Sequence, residues 1–556
     1  MLSLLLVSGL ASLAQARGKM THREMPSPLL TDINIISRHW GQLSPYADNA
    51  EEAFGVEKVG LPDGCGIEQV HVLQRHAQRF PTSAYDDGRN NEDFAARVAG
   101  WTAAANNGSQ SFIGSLAFLN TYRYVLAEGV LTNIGAATEF QAGAAFWNRY
   151  GRLLYDAAPG QVAYNASLPD GTGRPRPVLR TTGQSRIQNS QVNWALGFFG
   201  PSFRAAADPG LTGWTAPFDV VVVPEGGTEN NTLASYDSCP NAGASPVADM
   251  GDVALEAFLP RYLAAATARL QAFAPAGFVL TVNDTYAMQS LCAYETAYLG
   301  ESAFCGLFTR AEWAGFERSL DAEYYFDYAW GNPTGRAQGL GYLQELLARL
   351  TNQHLGSGAD SSVNATLDAS DASFPLGRPL YADFSHDDII ISTLTAMSLD
   401  YFKDPPDLLT TDWPLRSLGE DDTDNGRFVL SRLTPFGARL TTEVIGCAAS
   451  DPAERADHAT VYARGANGYR AGAAKSKFVR LRLNNGILPL ETIRGGRCAG
   501  RMDGMCALAD FVDSQAGAAT LANYRYACFG TYEVEKGTSG RDYDGTIFAG
   551  SHGGRR

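Results

Sequence analysis

A short apolar run that stops abruptly in a charged loop is the feature that most constrains the fold of this chain. The run begins at Gln69 and carries Val70, Val72 and Leu73, residue types that favour buried strands. Pro81 marks the exit of the following loop because proline cannot donate to a strand ladder. The sequence therefore predicts a buried strand whose carboxyl end opens directly into a functional loop.

This loop places one imidazole between two guanidiniums, in the order Arg75, His76, Arg79. Two neighbouring cations lower the pKa of an imidazole and keep it neutral and nucleophilic. Planar guanidinium groups match phosphate oxygens in pairs. We therefore expect His76 to attack phosphorus and form a phosphohistidine, with Arg75 and Arg79 holding the phosphate.

Two later strands end in charged loops of the same kind. Residues 177–182 form a predicted strand that breaks at a glycine and enters a helix with Arg186 in its first turn, where backbone N–H groups favour an anion. Residues 379–384 form another strand, followed by His386 and Asp387 and then by an apolar helix. Because ligands of open α/β sheets bind beyond the carboxyl ends of the strands, we expect these side chains to share one site.

The run from Arg75 to Pro81 resembles the R-H-G-x-R-x-P signature of the histidine acid phosphatases, and its surroundings resemble the fungal phytase branch of that family. The run from Tyr381 to Asp387 resembles the H-D motif of the same family, in its fungal phytase context. Two departures stand out. Ala77 replaces the usual glycine, and Asp388 stands where the family has asparagine or glycine, a charge expected to raise the pKa of Asp387.

The resemblance implies an α/β fold, with a mostly parallel sheet, helices on both of its faces and a smaller helical cap domain. It also implies a role for each motif residue, and no metal or cofactor. His76 is the nucleophile, and Asp387 protonates the leaving alcohol and then activates water. The predicted phosphate-binding residues are Arg75, Arg79, Arg186 and His386.

Hydrolysis of phytate, a small-molecule phosphate monoester, is the favoured function. No lysine follows the first motif before Arg89, where a polyanionic substrate needs neutralising. A broad-specificity histidine acid phosphatase is therefore the alternative, and a weakly active phosphate-binding relative is a further one. A metal-dependent phosphatase is a third class, but the sequence motifs do not supply the carboxylate-rich ligand set that such an enzyme needs. The acidic loop 420–424 lacks the ligand spacing of a calcium-binding EF-hand.

Charge and termini bound the partners and the location. The formal charge of −15 and the pI near 5.1 argue against nucleic acid and anionic membranes as partners, because both need a basic face. The apolar run 2–11, followed by Ala14-Gln15-Ala16, predicts a secretory signal peptide over residues 1–16. We therefore expect a secreted, extracellular protein without stable membrane association, either a monomer or a homo-oligomer.

Eight cysteines form an even set suited to an oxidising compartment, and none has zinc-ligand spacing. The resemblance implies the pairs Cys65 with Cys447, Cys239 with Cys528, Cys292 with Cys305, and Cys498 with Cys506. N-glycosylation is predicted at the sequons of Asn107, Asn165, Asn230, Asn283 and Asn364.

The predicted organisation places the helical cap within an α/β domain that is continuous in space. After the signal peptide, its segments are an N-terminal arm (17–60), the first part of the α/β domain (61–234), the cap (235–335), the second part of the α/β domain (336–530) and a disordered tail (531–556). In the arm, Trp40 and Tyr46 are expected to be core-packing aromatics, and His39 is left out of the catalytic set.

Overall fold

The computed structural model describes residues 28–104, 111–158, 160–161, 164–200, 217–226, 228–356, 360–403, 426–457, 467–534 and 542–550. The strands are β1 (Cys65–Arg75), β2 (Val178–Thr182), β3 (Asp219–Val223), β4 (Leu380–Ser385), β5 (Arg439–Cys447), β6 (Ser476–Leu483), β7 (Gly486–Ile487) and β8 (Met505–Ala507). In this part of the chain they form one eight-stranded sheet in the order β3-β2-β4-β1-β5-β6-β7, with β8 also paired to β6.

The α-helices range from short turns to six-turn rods. They are α1 (Ile33–Ile36), α2 (Asn90–Ala104), α3 (Asn133–Phe146), α4 (Arg152–Leu154), α5 (Ser185–Phe199), α6 (Met250–Gln271), α7 (Val282–Leu299), α8 (Arg310–Tyr328), α9 (Gly335–Thr351), α10 (Ala365–Asp368), α11 (Asp387–Ala396), α12 (Leu430–Leu433), α13 (Leu508–Ser514), α14 (Ala518–Ala522) and α15 (Tyr524–Phe529).

The sheet is half parallel and half antiparallel. Strands β3, β2, β4 and β1 are parallel, whereas β5 pairs antiparallel with β1 and begins an antiparallel run through β6 to β7 and β8. The predicted α/β class is confirmed, but the sheet is mixed rather than mostly parallel. An apolar strand pattern predicts that a strand is buried but does not show its direction. The sequence therefore could not reveal that half of the strands are antiparallel.

Two apolar layers cover the sheet. On one face, aromatic side chains of α3 and α5, among them Phe146, Trp194 and Phe198, pack against Val70 and Val72 of β1. On the other face, α9 and α11 join a larger core that extends into α6, α7 and α8. Both faces of the central strands are therefore buried, as expected for parallel strands that read as continuous apolar runs.

A buried ion network fixes β4 against β2 and α9. The carboxylate of Asp383 on β4 lies 2.7 Å from Nε of Arg180 on β2 and also pairs with Arg349 on α9. All three side chains are almost fully buried, and the two guanidiniums hold the pKa of Asp383 below its usual range although burial opposes them. Because these charges satisfy one another, they fix the strand that directly precedes His386.

The helical segment predicted at 235–335 contains α6, α7 and α8, and two of these helices begin with capping boxes. Thr281 and Asp284 exchange hydrogen bonds at the start of α7, and Thr309 and Glu312 do so at the start of α8. Helix α2 also packs here, because Asn91 donates to Ser290 Oγ of α7 at 2.9 Å. The cap boundaries stay a prediction, but its packing partners include this earlier helix.

All eight cysteines are paired, in the combinations that the resemblance implies: Cys65–Cys447, Cys239–Cys528, Cys292–Cys305 and Cys498–Cys506. The first disulfide joins residues that face one another in the β1–β5 ladder. It closes a loop across 382 residues and so fixes the register of the first antiparallel pair.

The expectation of a disordered tail is wrong for residues 542–550. Tyr543 and Ile547 are buried in the larger core, and the carboxylate of Asp544 lies 2.7 Å from Arg494 and 2.9 Å from Lys403. Scattered aromatic and acidic residues carry no periodic signal, so this docked segment could not be recognised from its sequence.

Several sequence predictions stay untested. The signal peptide, the acidic loop 420–424 and the sequon at Asn107 lie outside the described residues. Glycosylation at the other sequons remains a prediction. At Asn230, the side-chain amide donates to the backbone oxygens of Ser361 and Val363, both at 3.0 Å, and a glycan on this nitrogen would remove one donor. Trp40 is buried as expected, whereas Tyr46 lies at the edge of a cavity.

Candidate active site

The carboxyl ends of the four parallel strands meet at one edge of the sheet. His76 follows β1, Glu225 follows β3 and His386 follows β4, while Arg186 lies in the first turn of the helix after β2. Of these, His76, Arg186 and His386 line a cavity of about 410 Å³, together with Arg79 and Asp387. The structure thus brings five of the six predicted site residues to one cavity, and the sixth, Arg75, lies directly behind it.

The imidazole of His76 is held in one tautomer. Its Nδ1 lies 2.8 Å from the backbone oxygen of Ala77, and because a carbonyl oxygen can only accept, Nδ1 carries the proton. The lone pair is therefore on Nε2. Burial, followed by the charges of Arg75 and Arg186, holds the pKa of His76 well below its usual range. The lowered pKa favours the neutral imidazole, which is the nucleophilic form.

The guanidinium of Arg75 is fully buried and fixed on several sides. Its Nη1 donates to the backbone oxygens of Gln42 and Thr434, and its plane lies 4.6 Å from the ring centre of Phe436. Its Nη2 lies 2.7 Å from Oδ2 of Asp387. This predicted phosphate-binding arginine is therefore pre-oriented, and it is paired with the predicted catalytic acid.

Arg79 and Arg186 are held differently. Nη2 of Arg79 pairs with Asp87 at 2.8 Å, and its Nη1 donates to the hydroxyl of Tyr294 at 3.2 Å. Arg186 donates to the backbone oxygen of Gly129 at 3.4 Å, and its buried Nε has no partner among the described residues. Arg186 thus retains donors for an incoming anion, whereas Arg79 must share its guanidinium with Asp87.

His386 is oriented by residues that sequence reasoning missed. Its Nε2 lies 3.1 Å from the carboxylate of Glu225 and 3.2 Å from the hydroxyl of Tyr236. Burial lowers the pKa of His386, although Glu225 acts in the opposite direction. Glu225 comes two residues after the apolar strand β3, much as the other site residues follow strands, and that position was the signal that could have identified it.

The two adjacent carboxyls have opposite pKa shifts. Burial would raise the pKa of Asp387, but Arg75 and Arg79 hold it below its usual range, and the hydroxyl of Tyr324 donates to it at 3.0 Å. Burial and the charge of Asp387 raise the pKa of Asp388 well above its usual range. The expectation that Asp388 raises the pKa of Asp387 is therefore wrong for this structure, because the two buried guanidiniums dominate.

Ala77 fits the position at which the family has glycine. Its side chain is fully buried, and its backbone does not adopt the left-handed region that would require glycine. Its methyl group lies beside Gly437, whose φ of +74° places it in that region. The loop therefore accepts the additional methyl group without backbone strain.

One wall of the cavity is acidic. Asp252, Glu323 and Asp327, from α6 and α8, bring carboxylate oxygens within 4.8 Å of one another, and all three residues line the cavity. Tyr324 of α8 also lines it and reaches Asp387. The helical segment thus supplies residues to the site for which the sequence motifs gave no signal. The arginines and histidines lie on the sheet side of the cavity, and this second group of carboxylates lies on the helical side.

Comparisons with known proteins point to a single family. Residues 66–484 match the family model described as the histidine phosphatase superfamily, branch 2. Phytase A of Aspergillus terreus is 30% identical over 500 residues, 89% of this chain and 91% of that protein. Phytase A of Emericella nidulans is 30% identical over 499 residues, with the same coverage of both chains. The crystal structure of the phytase from D. castellii has a TM-score of 0.62 at 21% identity, covering 94% of this chain and 98% of its own, a likeness in fold.

Proposed function

The chain belongs to branch 2 of the histidine phosphatase superfamily, and on that premise we propose that it hydrolyses phytate through a phosphohistidine at His76. The observation that carries this proposal is the tautomer of His76. Its Nδ1–H donates a hydrogen bond to the backbone oxygen of Ala77, so the lone pair on Nε2 is available beside three arginines.

In the first step, Nε2 of His76 attacks phosphorus and the bond to the ester oxygen breaks. Arg75, Arg79, Arg186 and His386 bind the non-bridging oxygens, whose negative charge their N–H groups stabilise in the transition state. The leaving alkoxide takes a proton from Asp387, so that an alcohol departs and a phosphohistidine remains.

Asp387 acquires this proton through substrate binding. In the structure its carboxylate is paired with Arg75, which holds its pKa low. A phosphate dianion competes for the same guanidinium and brings negative charge next to the carboxylate, and both effects raise the pKa of Asp387. In the second step, the resulting carboxylate accepts a proton from a water molecule that attacks phosphorus, the N–P bond breaks, and phosphate leaves.

Phytate is the proposed substrate because two relatives at 30% identity over most of the chain are phytases. The acidic wall formed by Asp252, Glu323 and Asp327 favours a second candidate, a broad-specificity phosphomonoesterase, since carboxylates repel the remaining phosphates of a polyanion. The candidates share the chemistry at His76 and differ in what the far side of the cavity accepts.

We also propose that the protein is exported and works outside the cell on small-molecule phosphate esters. Four disulfides support an oxidising compartment. None of the helices in the described ranges has the length and apolar character needed to cross a membrane.

A substrate panel tests the function. We would measure kcat/KM for phytate, glycerol 2-phosphate and p-nitrophenyl phosphate at several acidic pH values, with and without EDTA. A preference of tenfold or more for phytate, unaffected by EDTA, supports the phytase. Equal values support the broad phosphatase, and activity that is lost on chelation and restored by a divalent ion contradicts the metal-free mechanism.

A further inference from the structure

A second cavity, of about 400 Å³, lies away from the active site, and we call it the arginine cavity. It is lined by Tyr46, Asp48, Arg149, Arg439, Arg482 and Asn485, among others. It shares no lining residue with the active-site cavity. Three guanidiniums at one concave surface are unexpected in a chain with a formal charge of −15, and they require an explanation.

Two of these arginines belong to an ion-pair network with too few carboxylates. Arg149 and Arg482 both lie 2.7 Å from the same oxygen of Glu51. Arg482 also lies 2.9 Å from Glu443, a carboxylate that it shares with Arg480. Three guanidiniums thus share two carboxylates, so this side of the cavity keeps a net positive charge.

The third arginine, Arg439, has no ion-pair partner among the described residues. Its charge acts on the buried carboxyl of Glu139 without forming an ion pair with it, and its Nε is buried without a hydrogen-bond partner. Its guanidinium lies 3.9 Å from the ring centre of Tyr46. Stacking fixes the plane of the guanidinium, so that its donors are pre-oriented for a planar or tetrahedral oxyanion.

The acidic side chain in the cavity lining, that of Asp48, is already engaged. The hydroxyl of Tyr46 donates to the carboxylate of Asp48 at 2.6 Å, and Asp48 is exposed. The amide of Asn485 and the hydroxyl of Thr441 supply further polar groups to the lining. The arrangement of an unpaired guanidinium, a surplus of positive charge and neutral donors is that of an anion site.

The backbone connects this cavity to the catalytic loop. Arg439 begins β5, and the two residues before it hold the loop, because Gly437 N–H donates to the oxygen of His76 at 3.0 Å and Arg75 N–H donates to the oxygen of Ala438 at 2.8 Å. An anion bound to Arg439 would therefore lie one residue away from the backbone that positions the nucleophile.

We propose that the arginine cavity is a second phosphate-binding site, which takes either free phosphate or the phosphate group of a monoester. The guanidinium of Arg439 binds the oxygens, and Arg149 and Arg482 supply the surrounding positive charge. The choice of phosphate rests on the proposed function, since an enzyme that releases phosphate at His76 raises its concentration locally.

Equilibrium dialysis with radiolabelled inorganic phosphate tests the proposal on the full-length protein at pH 5 and low salt. Wild type is expected to bind two phosphates per chain, Arg439→Gln one, and Arg186→Gln one. Arg501→Gln is the matched control, because Arg501 also stacks on an aromatic ring, Phe478 at 5.2 Å, but pairs with Asp503. This variant should still bind two.

A second variant covers the case in which Arg439→Gln does not fold. Asn148 is an exposed residue of the cavity lining, so Asn148→Glu adds a carboxylate without disturbing the core. It should weaken the second phosphate at least tenfold. Competition with glycerol 3-phosphate separates the two sources. If glycerol 3-phosphate displaces the Arg439-dependent labelled phosphate at a lower concentration than unlabelled phosphate does, the site is assigned to a phosphate ester. If unlabelled phosphate displaces it at the lower concentration, the site is assigned to free phosphate.

The proposal would be overturned if the wild type bound only one phosphate and this phosphate were retained in Arg439→Gln but lost in Arg186→Gln. That result would leave the proposed function intact. One phosphate that is lost in Arg439→Gln and retained in Arg186→Gln would support the arginine cavity and contradict the proposed active site.

Discussion

Nη2 of Arg75 lies 2.7 Å from Oδ2 of Asp387. A predicted phosphate-binding arginine and the predicted catalytic acid therefore form one buried ion pair. The charge of Arg75 lowers the pKa of Asp387 and so favours the ionised carboxylate. Phosphate binding must break or weaken this pair, and the same event frees the carboxyl to take up a proton. Substrate binding and the activation of the acid are therefore coupled through a single guanidinium.

The role of Asp387 predicts a dependence on the leaving group. Asp387→Asn should lower kcat/KM for phytate by roughly 10²- to 10⁴-fold, because an alkoxide leaves poorly without a proton. p-Nitrophenolate needs little protonation, so phosphorylation of the enzyme by p-nitrophenyl phosphate should be much less affected. Stopped-flow measurement of the first turnover with each ester checks this difference.

Arg186→Gln serves as the control, because Arg186 holds the transferred group whichever alcohol leaves. It should slow both esters by similar factors. Equal losses on the two esters in Asp387→Asn would mean that the leaving-group acid is another residue, with Asp388 the next candidate.

The raised pKa of Asp388 predicts a shift of the alkaline limb of activity. Burial and Asp387 keep Asp388 protonated in acid, and Glu225, Tyr236 and Tyr328 are the other titratable groups that act on or respond to it. As the pH rises, ionised Asp388 adds negative charge beside the phosphate and weakens binding. In Asp388→Asn, the fall of kcat/KM at high pH should begin at a higher pH. Superimposable pH profiles for the two proteins would count against this assignment.

Glu139 predicts a pH-dependent stability. It is fully buried, accepts a hydrogen bond from Gln74 at 2.6 Å, and burial raises its pKa to about 8. The unfolded chain releases this proton above its ordinary value of 4.5, whereas the folded protein keeps it up to about 8. This contribution to stability is therefore fully present below pH 4.5 and is lost as the pH rises to 8, by up to about 1.4 kcal/mol per pH unit.

Glu139→Gln should lack this loss. Urea unfolding of both proteins at pH 5 and pH 7.5 measures it as a difference between the two free energies of unfolding. The variant should gain stability relative to wild type at the higher pH, and a constant difference would show that Glu139 is ionised in the folded protein.

The disulfides should contribute unequally. Cys65–Cys447 spans 382 residues and Cys498–Cys506 only 8. If cross-links act by restricting the unfolded chain, replacing both members of the long-range pair by serine should cost several kcal/mol, against roughly 2 to 3 for the local pair. Thermal unfolding of the two double variants compares them. A larger loss for the local pair would point to a role of that loop in the folded state.

Much of the site could be predicted because its residues follow recognisable strand ends. His76, Arg186 and His386 each come after an apolar run, and parallel strands bring such positions to one edge. Glu225 has the same position but lacked a motif, and so it was missed. Tyr324 comes from the helical segment, and only the packing of α8 over the sheet shows that it reaches Asp387.

What failed depended on distances that a sequence does not give. Asp388 is adjacent to Asp387 along the chain and was expected to raise the pKa of Asp387. In the structure, the charges of Arg75 and Arg79 lower that pKa instead. The antiparallel half of the sheet and the docked segment 542–550 likewise follow from long-range packing rather than from local patterns.

Rapid-quench labelling tests the central claim most directly. Wild-type protein mixed with a ³²P-labelled phosphate monoester and quenched in alkali should carry acid-labile phosphate on His76, and His76→Ala should carry none and lose activity by about 10³-fold or more. Phosphate found on any other residue, or turnover by His76→Ala at a rate close to that of wild type, would contradict the account.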